Sequence, residues 1–420
     1  MKSRRTWSYL IGVFGLVLVL IAAGCGSSTD DEESSSGSGG STSGAGDSTG
    51  VTEDTILFGM ATPISGNASS LGLDGQKGAE VFVKWINDQG GSKGRMWELT
   101  VQDDGFDPTK KVAAVQYLID QAKVFALWGD VGSQASAAVP IFEETGVPYL
   151  FPYALDPTIY EPAKPSVFTI VPGAGVQEEA AGNWINANRK DLKIGLLTLT
   201  SPDGQDAVKG FKASDAGKYV IAEQTFERTT TSWKPQLEAL KSAGANMVVL
   251  HASDAWTAKI VTEAAEIGFD ADIFGSTGSV TLNYFKLAGA NANGIDAVSI
   301  LAAPDDTSIP GVKEFLDAFA KYEPGYQPGT FALHSWVGGL ITAAALDAID
   351  GDDITREALI DSLNNMKDFS TGEITGNISF TKDDHLGTRD VIIMEAKNDH
   401  WVPITNWINA DNAADKSANR

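Results

Sequence analysis

Cysteine is nearly absent from this chain of 420 residues, which has only Cys25, and histidine is scarce, with four residues. A single cysteine excludes an internal disulfide and a cysteine-rich metal site. The histidines are far apart in sequence, and no G-x-S-x-G, G-x-x-x-x-G-K-[ST], H-E-x-x-H or post-strand G-x-G-x-x-G motif is present. These absences argue against an enzyme, and we predict neither a cofactor nor a metal.

Basic residues are also few, with 31 lysines and arginines against 55 aspartates and glutamates and a formal net charge of −24. Such a chain repels phosphate, so nucleic acid and an anionic membrane surface are excluded as partners. The acidity predicts a solvated surface rather than a cation site. The cluster "DGDD" at 350–353 lacks the EF-hand spacing and is typical of a loop.

The amino terminus carries a basic start, "MKSRRTW", an apolar run, "YLIGVFGLVLVLIAA", and then "AAGC" with the lone Cys25. This arrangement resembles a bacterial lipoprotein signal, although a membrane anchor or an ordinary secretory signal has the same first two parts. We expect residues 1–24 to be removed and Cys25 to carry lipid. The protein is then extracytoplasmic and anchored to the cell membrane.

Large apolar side chains are missing from the segment "GSSTDDEESSSGSGGSTSGAGDSTG" that follows. Such a sequence cannot bury enough surface to fold, and residues 25–52 are predicted to form a flexible tether. As a coil it would span roughly 25–30 Å.

Buried strands and amphipathic helices alternate over the rest of the chain, and the alternation runs twice. This predicts an α/β fold of two doubly wound, Rossmann-like lobes with parallel sheets and a cleft between them. The predicted boundaries are 53–172 for lobe 1, completed by about 300–350, 173–299 for lobe 2, completed by about 351–407, and a polar tail at 408–420.

Some local predictions are specific. Asp107 is expected to cap a helix with Pro108 at its first position, and Trp336 is expected to lie in the core. "GNISF" and "RDVIIMEA", near the carboxyl terminus, are predicted strands.

Several stretches resemble the periplasmic-binding proteins of the leucine/isoleucine/valine type. They include "DTILFGMATPISGNASSLGLDGQKGAEVFVKWINDQGGSKG", "VQDDGFDPTKKVAAVQYLI", "FALWGDVGSQASAAVPIFEETGVPYLFPYALDP" and "TGEITGNISFTKDDH". The resemblance implies a type I periplasmic-binding fold (a Venus flytrap) with three hinge crossings. It also implies a monomer that closes over a small ligand and serves an ABC permease.

The resemblance assigns ligand contacts by position. Ser133 matches the serine that binds a ligand carboxylate, and Gln134 shares its helix start. Tyr153 and Leu155 stand where the family uses a small residue and a threonine. Thr277 replaces the glutamate that neutralises an ammonium group, and Ser253 and Leu71 stand where tyrosines are common.

Leu71, Tyr153, Leu155 and Trp256 make the predicted cleft more apolar and aromatic than an amino-acid site. A neutral Thr277 cannot balance a buried ammonium. We therefore predict a ligand with a hydrophobic or aromatic body, an acid or an amide, rather than a zwitterion.

Alternatives remain open at this point. Ser133 is also a suitable helix cap, Trp256 could pack under a loop, and His251 could be structural. A hydrolytic Ser133–His251 pair lacks an evident orienting acid. A ligand-sensing receptor subunit that signals through a membrane partner is the alternative function.

Overall fold

The computed structural model describes residues 46–66 and 68–411, except for the side chain of Ser133. The predicted signal, Cys25, most of the tether and residues 412–420 lie outside the described residues.

The first sheet has five parallel strands among the described residues, in the order β2-β1-β3-β4-β5. Its elements are β1 (Thr55–Thr62), α1 (Ser69–Asp88), β2 (Met96–Asp103), α2 (Pro108–Asp120), β3 (Ala126–Trp128), α3 (Val139–Thr145), β4 (Tyr149–Leu150) and β5 (Val167–Phe168). We call this sheet and the helices packed on it the first lobe.

The second sheet has eight described strands. Seven follow the order β12-β11-β10-β9-β8-β6-β7, and β13 pairs with β11. Its elements are α4 (Ala174–Asn188), β6 (Ile194–Leu199), α5 (Pro202–Ala213), β7 (Val220–Phe226), α6 (Lys234–Ala243), β8 (Met247–His251), α7 (Asp254–Glu266), β9 (Asp272–Gly275), α8 (Leu282–Ala288) and β10 (Asp296–Ser299). They form the second lobe.

The chain then returns to the first lobe through α9 (Pro310–Tyr322), α10 (Thr330–Asp347) and α11 (Arg356–Asn364). It ends in the second lobe with β11 (Asp390–Lys397), β12 (His400–Pro403) and β13 (Ile408–Asn409). Helix α10 packs closely on α1. At Gly78 the two helices are so near that an added Cβ would lie 2.2 Å from the carbonyl oxygen of Ala332.

Three crossings join the lobes within the described residues: after β5, after β10 and before β11. The crossing segments bind to neighbouring loops. Thr169 N–H donates to the His385 carbonyl at 3.0 Å, and Ala302 N–H donates to the Ile374 carbonyl at 2.8 Å.

The fold class is confirmed, and so are the local predictions at α2 and Trp336. Asp107 accepts hydrogen bonds from the N–H groups of Thr109 and Lys110, with Pro108 in the first turn. Trp336 is fully buried.

Three details differ from the sequence prediction. The second sheet is mixed, since β11 runs antiparallel to β10 and β12. "GNISF" forms only an isolated bridge between Phe369 and Ile378. The alanine-rich segment after β3 begins as a 3-10 helix, Ser133–Ala138, before α3.

The segment after residue 350 also lies elsewhere than expected. Arg356 donates to the carbonyls of Phe125 and Val124 at 2.9 and 2.7 Å, and Phe380 packs on Phe168. It therefore belongs with the first lobe, and only the chain from Asp390 onward completes the second sheet. Periodicity predicts elements but not which lobe they join.

Among residues 46–66 and 68–411, no helix combines the length and the apolar character needed to span a bilayer.

Candidate ligand-binding cleft

A cavity of about 400 Å³ lies between the lobes, at the carboxyl ends of strands from both sheets. The first lobe contributes the loops after β3 and β4, and the second lobe contributes those after β6, β8 and β9. Ligand sites of open α/β sheets lie at this edge. The residues used below are among its lining: Leu71, Phe106, Gly132, Tyr153, Leu155, Asp156, Asp203, Arg228, His251, Ser253, Trp256, Ser276 and Phe331.

The loop after β3 reaches the cavity through Val131 and Gly132. Gly132 has φ 130°, which a side chain would strain, and a Cβ there would lie 2.2 Å from Gln134 Oε1. The backbone of Ser133 starts the 3-10 helix, but its side chain lies outside the described residues. Its predicted contact with ligand therefore remains a prediction.

Gln134 is turned away from the cavity. Its Nε2 donates to Asp104 Oδ2 at 3.1 Å and to the Val131 carbonyl at 3.2 Å, and the residue is 4% exposed. In this position it supports the loop from behind, which differs from the direct contact expected from the sequence.

A buried ion cluster lies behind the same loop. Lys111 Nζ is 2.5 Å from Asp130 Oδ2 and 3.0 Å from Asp104 Oδ2. Tyr149 donates its hydroxyl proton to Asp130, and Lys111 also donates to the Ala61 carbonyl. The cluster connects β1, α2, β4 and the loop that carries Gly132.

Three of the five predicted first-lobe residues, Leu71, Tyr153 and Leu155, line the cavity. Tyr153 packs edge-on against Phe331 and His334, with ring centroids 5.0 Å apart in both pairs. Burial raises the pKa of Tyr153 to about 12, although a hydrogen bond with Thr277 opposes the shift. The phenol is therefore neutral, and the first-lobe wall is apolar and aromatic.

Ser253 and Trp256 line the cavity from the second lobe. Ser253 precedes α7 without a side-chain capping bond, and Trp256 packs edge-on against Phe226 at 5.4 Å. Thr277 is 3% exposed and does not line the cavity, although Ser276 and Gly278 on either side do. Its hydroxyl contacts Tyr153 across the cleft instead.

Sequence reasoning missed several lining residues. Phe331 and Arg228 come from segments that are far away along the chain, and no motif marks them. Phe106 and Gly132, which the sequence did not assign to the cleft, also line the cavity. Asp203 lies within the strand-to-helix joint "LTSPDG" (199–204), and a carboxylate at such a strand end was the available signal.

Asp203 and His251 form an ion pair at the second-lobe wall. His251 Nε2 is 3.3 Å from Asp203 Oδ2, and Nδ1 is 3.8 Å from Glu178 Oε1. Burial alone would lower the pKa of His251, but the two carboxylates outweigh burial and raise it to about 9. Burial would likewise raise the pKa of Asp203, but hydrogen bonds from His251 and Ser201 lower it to about 2.

A family model described as periplasmic binding protein matches residues 55–400. A Leu/Ile/Val-binding protein homolog 3 from Brucella melitensis is 26% identical over 332 residues, covering 78% of this chain and 88% of the relative. A leucine-, isoleucine-, valine-, threonine- and alanine-binding protein from Pseudomonas aeruginosa is 25% identical over 348 residues, covering 82% and 91%.

The fold has a close structural counterpart. The crystal structure of a branched chain amino acid ABC transporter protein from Thermus thermophilus with bound valine superposes with a TM-score of 0.75. It is 19% identical, and the match covers 86% of this chain and 97% of the other. The cleft, the two lobes and the family match lead to one conclusion: this chain belongs to the type I periplasmic-binding proteins of the leucine/isoleucine/valine-binding family, which are extracytoplasmic solute-binding proteins.

Proposed function

We propose that this protein captures a small organic ligand with a hydrophobic or aromatic body between its two lobes, by hinge closure, and delivers it to an ABC importer. The names of its relatives report branched-chain and other amino acids as ligands. Our proposal departs from those ligands because of the groups that line this cavity.

The observation that carries the proposal is that Thr277 is buried outside the cavity and bonded to Tyr153, while the cavity wall around Tyr153 is apolar and aromatic. Leu71, Leu155 and Trp256 supply hydrocarbon and aromatic surface there. The Thr277 hydroxyl is neutral and is bonded to Tyr153, so it offers no charge to an ammonium group. A buried, unpaired ammonium is heavily penalised, which favours a ligand without one at this position.

Hinge closure requires only moderate ligand energy. If the closed form were about 1% populated without ligand, moving it to about 99% would take roughly 5.5 kcal/mol of preferential binding. A few hydrogen bonds and an enclosed apolar body supply this amount. The three crossing segments are where the backbone would rotate.

Delivery is proposed to occur at the membrane. Cys25 would carry two acyl chains, which stable anchoring requires, and the tether would place a monomeric domain within reach of a permease.

A thermal-shift panel tests the proposal. The full-length chain in mild detergent is screened against aliphatic amino acids, carboxamides, urea and aromatic acids. We expect stabilisation by aromatic or branched acids or amides. Stabilisation by aliphatic amino acids alone would overturn the ligand class, and no shift with any solute would overturn solute capture.

A matched pair of variants locates the effect. Leu155→Ser should weaken the shift because Leu155 lines the cavity, whereas Leu287→Ser, at a residue 50% exposed in the second lobe, should leave it unchanged. Equal effects of the two substitutions would place binding outside the cleft.

A further inference from the structure

Asp203 is a charged acceptor that faces the cavity from the second lobe. It lies in the first turn of α5, lines the cavity, and has a side chain that is 23% exposed. One of its oxygens, Oδ2, is 3.3 Å from His251 Nε2. Ser201 and the backbone N–H of Asp203 also hydrogen-bond to this carboxylate, and its exposed part can still accept a hydrogen bond from a ligand.

His251 is fixed between two carboxyl groups. Asp203 faces Nε2, and Glu178, which is 2% exposed, faces Nδ1 from behind the sheet. Among the described residues, neither carboxyl oxygen of Glu178 has a hydrogen-bond donor, and burial raises the pKa of Glu178. The imidazole is thus oriented along the line from Glu178 to Asp203, and its charge lies next to the Asp203 carboxylate.

This neighbour changes what Asp203 can bind. An isolated carboxylate in an apolar cavity would need a cationic ligand group, because an unbalanced buried charge is costly. The pKa of Asp203 is lowered and that of His251 is raised, while burial favours the neutral form of Glu178, so the charges of Asp203 and His251 offset each other. An uncharged N–H donor can then satisfy the carboxylate without adding net charge to the cavity.

Two other polar groups at the cavity are engaged by protein partners. Ser276 Oγ donates to the Ala252 carbonyl at 3.0 Å and accepts from its N–H at 3.3 Å. Across the cleft, Asp156 Oδ1 accepts the N–H of Thr158 at the start of a 3-10 helix.

We propose that Asp203, balanced by His251, accepts a hydrogen bond from an uncharged donor group of the ligand, so that the ligand is a neutral amide with an apolar body. This inference rests on the proposed capture function and specifies the head group that the cleft selects.

Arg228 is the competing feature. It lines the mouth of the cavity, is exposed, and would favour an anionic head group. Exposure weakens that attraction, because water and salt screen a surface charge. The enclosed Asp203 contact is therefore favoured.

Four probes with one aromatic body distinguish these cases: phenylacetamide, phenylacetate, phenethylamine and phenylalanine. Calorimetry on the full-length chain in mild detergent at neutral pH should show the tightest binding for phenylacetamide. Tighter phenylacetate binding that Arg228→Gln abolishes would overturn the inference in favour of Arg228. The inference would also be overturned if phenethylamine or phenylalanine bound more tightly than phenylacetamide, or if none of the four probes bound.

Two substitutions test the roles of the pair. Asp203→Asn should weaken phenylacetamide binding about tenfold, because a hydrogen bond to a charged acceptor is lost. His251→Gln can still donate to Asp203 but lacks the charge, so it should raise the affinity for phenethylamine relative to phenylacetamide about tenfold. A merely structural role of His251 would weaken all probes equally.

Asp272→Asn is the matched control, because Asp272 is exposed at the amino end of β9, away from the cleft. It should leave all four affinities unchanged. If the four probes fail to bind while the wider solute panel still stabilises the protein, only the head-group inference is lost and the capture function stands.

Discussion

Lys111 Nζ lies 2.5 Å from Asp130 Oδ2, and both side chains are completely buried. Asp130 belongs to the loop that carries Gly132 into the cavity, and Gln134 bonds to Asp104, the second carboxylate of Lys111. The geometry of the candidate site thus depends on a charged cluster that does not itself line the cavity.

Lys111→Met should therefore lower the free energy of unfolding by about 3–5 kcal/mol, because it leaves two buried carboxylates without their cation. Denaturant unfolding measures the change. Lys313→Met is the control, because Lys313 and its partner Asp317 are both more than half exposed. This substitution should change the free energy of unfolding by less than about 1 kcal/mol. Equal effects would show that the buried cluster is not structural.

Ser133→Ala should weaken binding of a panel ligand about three- to tenfold, because one hydrogen bond to the ligand is removed. The melting temperature should change little. Calorimetry with the solute that gives the largest thermal shift checks this. Unchanged affinity together with a lower melting temperature would instead assign Ser133 to helix capping.

The Asp203–His251–Glu178 group should make stability depend on pH on the alkaline side. The pKa of His251 is raised from 6.5 to about 9, so its contribution is fully present below pH 6.5 and is lost as the pH rises through about 9. As the pH rises through this window, the free energy of unfolding of wild type should fall by about 3 kcal/mol relative to that of His251→Gln. Urea unfolding at several pH values measures the difference, and parallel curves would contradict the shift.

His334 should have the opposite effect on the acid side. It is fully buried, neither ring nitrogen has a hydrogen-bond partner within residues 46–66 and 68–411, and burial lowers its pKa to about 3. Its stabilisation is complete above pH 6.5 and is lost as the pH falls toward 3. Between pH 7 and pH 5, the free energy of unfolding should therefore fall by about 2 kcal/mol more in wild type than in His334→Met.

The control for His334 is His400→Gln, because His400 is 64% exposed beside Asp305. The free energy of unfolding of this variant should fall with decreasing pH as it does in wild type. If His334→Met also follows wild type, the imidazole is not the group that titrates.

Cys25→Ser should abolish lipid attachment, because this chain has no other cysteine to form the thioether. Mass spectrometry of the membrane fraction should find a lipid-modified amino-terminal Cys25 in wild type and none in the variant. Ser27→Ala, two residues on, should retain the lipid. An unmodified amino terminus in wild type would refute anchoring.

Much of the fold could be predicted because its signals are local. The hydrophobic periodicity of α2 and the Asp107 cap are properties of adjacent residues, and both are confirmed. The prediction of a strand at "GNISF" was wrong. Its β-forming residues lie in a loop packed on the first lobe, where they pair with a neighbouring segment only at an isolated bridge.

The candidate site was predicted less completely. Leu71, Tyr153, Leu155, Ser253 and Trp256 do come together around one cavity. Gln134 and Thr277 instead bond to protein groups, Asp104 and Tyr153. Strand-end position predicts that a residue is near the cleft, but the direction of its side chain depends on which partner it meets.

The sequence by itself determined the α/β class, the order of most helices and strands, and the family resemblance, because these follow from periodicity and adjacent residues. Only the tertiary structure decided that Asp203 lines the cavity beside His251, and that Lys111 is buried between Asp104 and Asp130. Residues 48 positions apart become ion partners when the fold brings two strand ends together, and no local pattern records that distance.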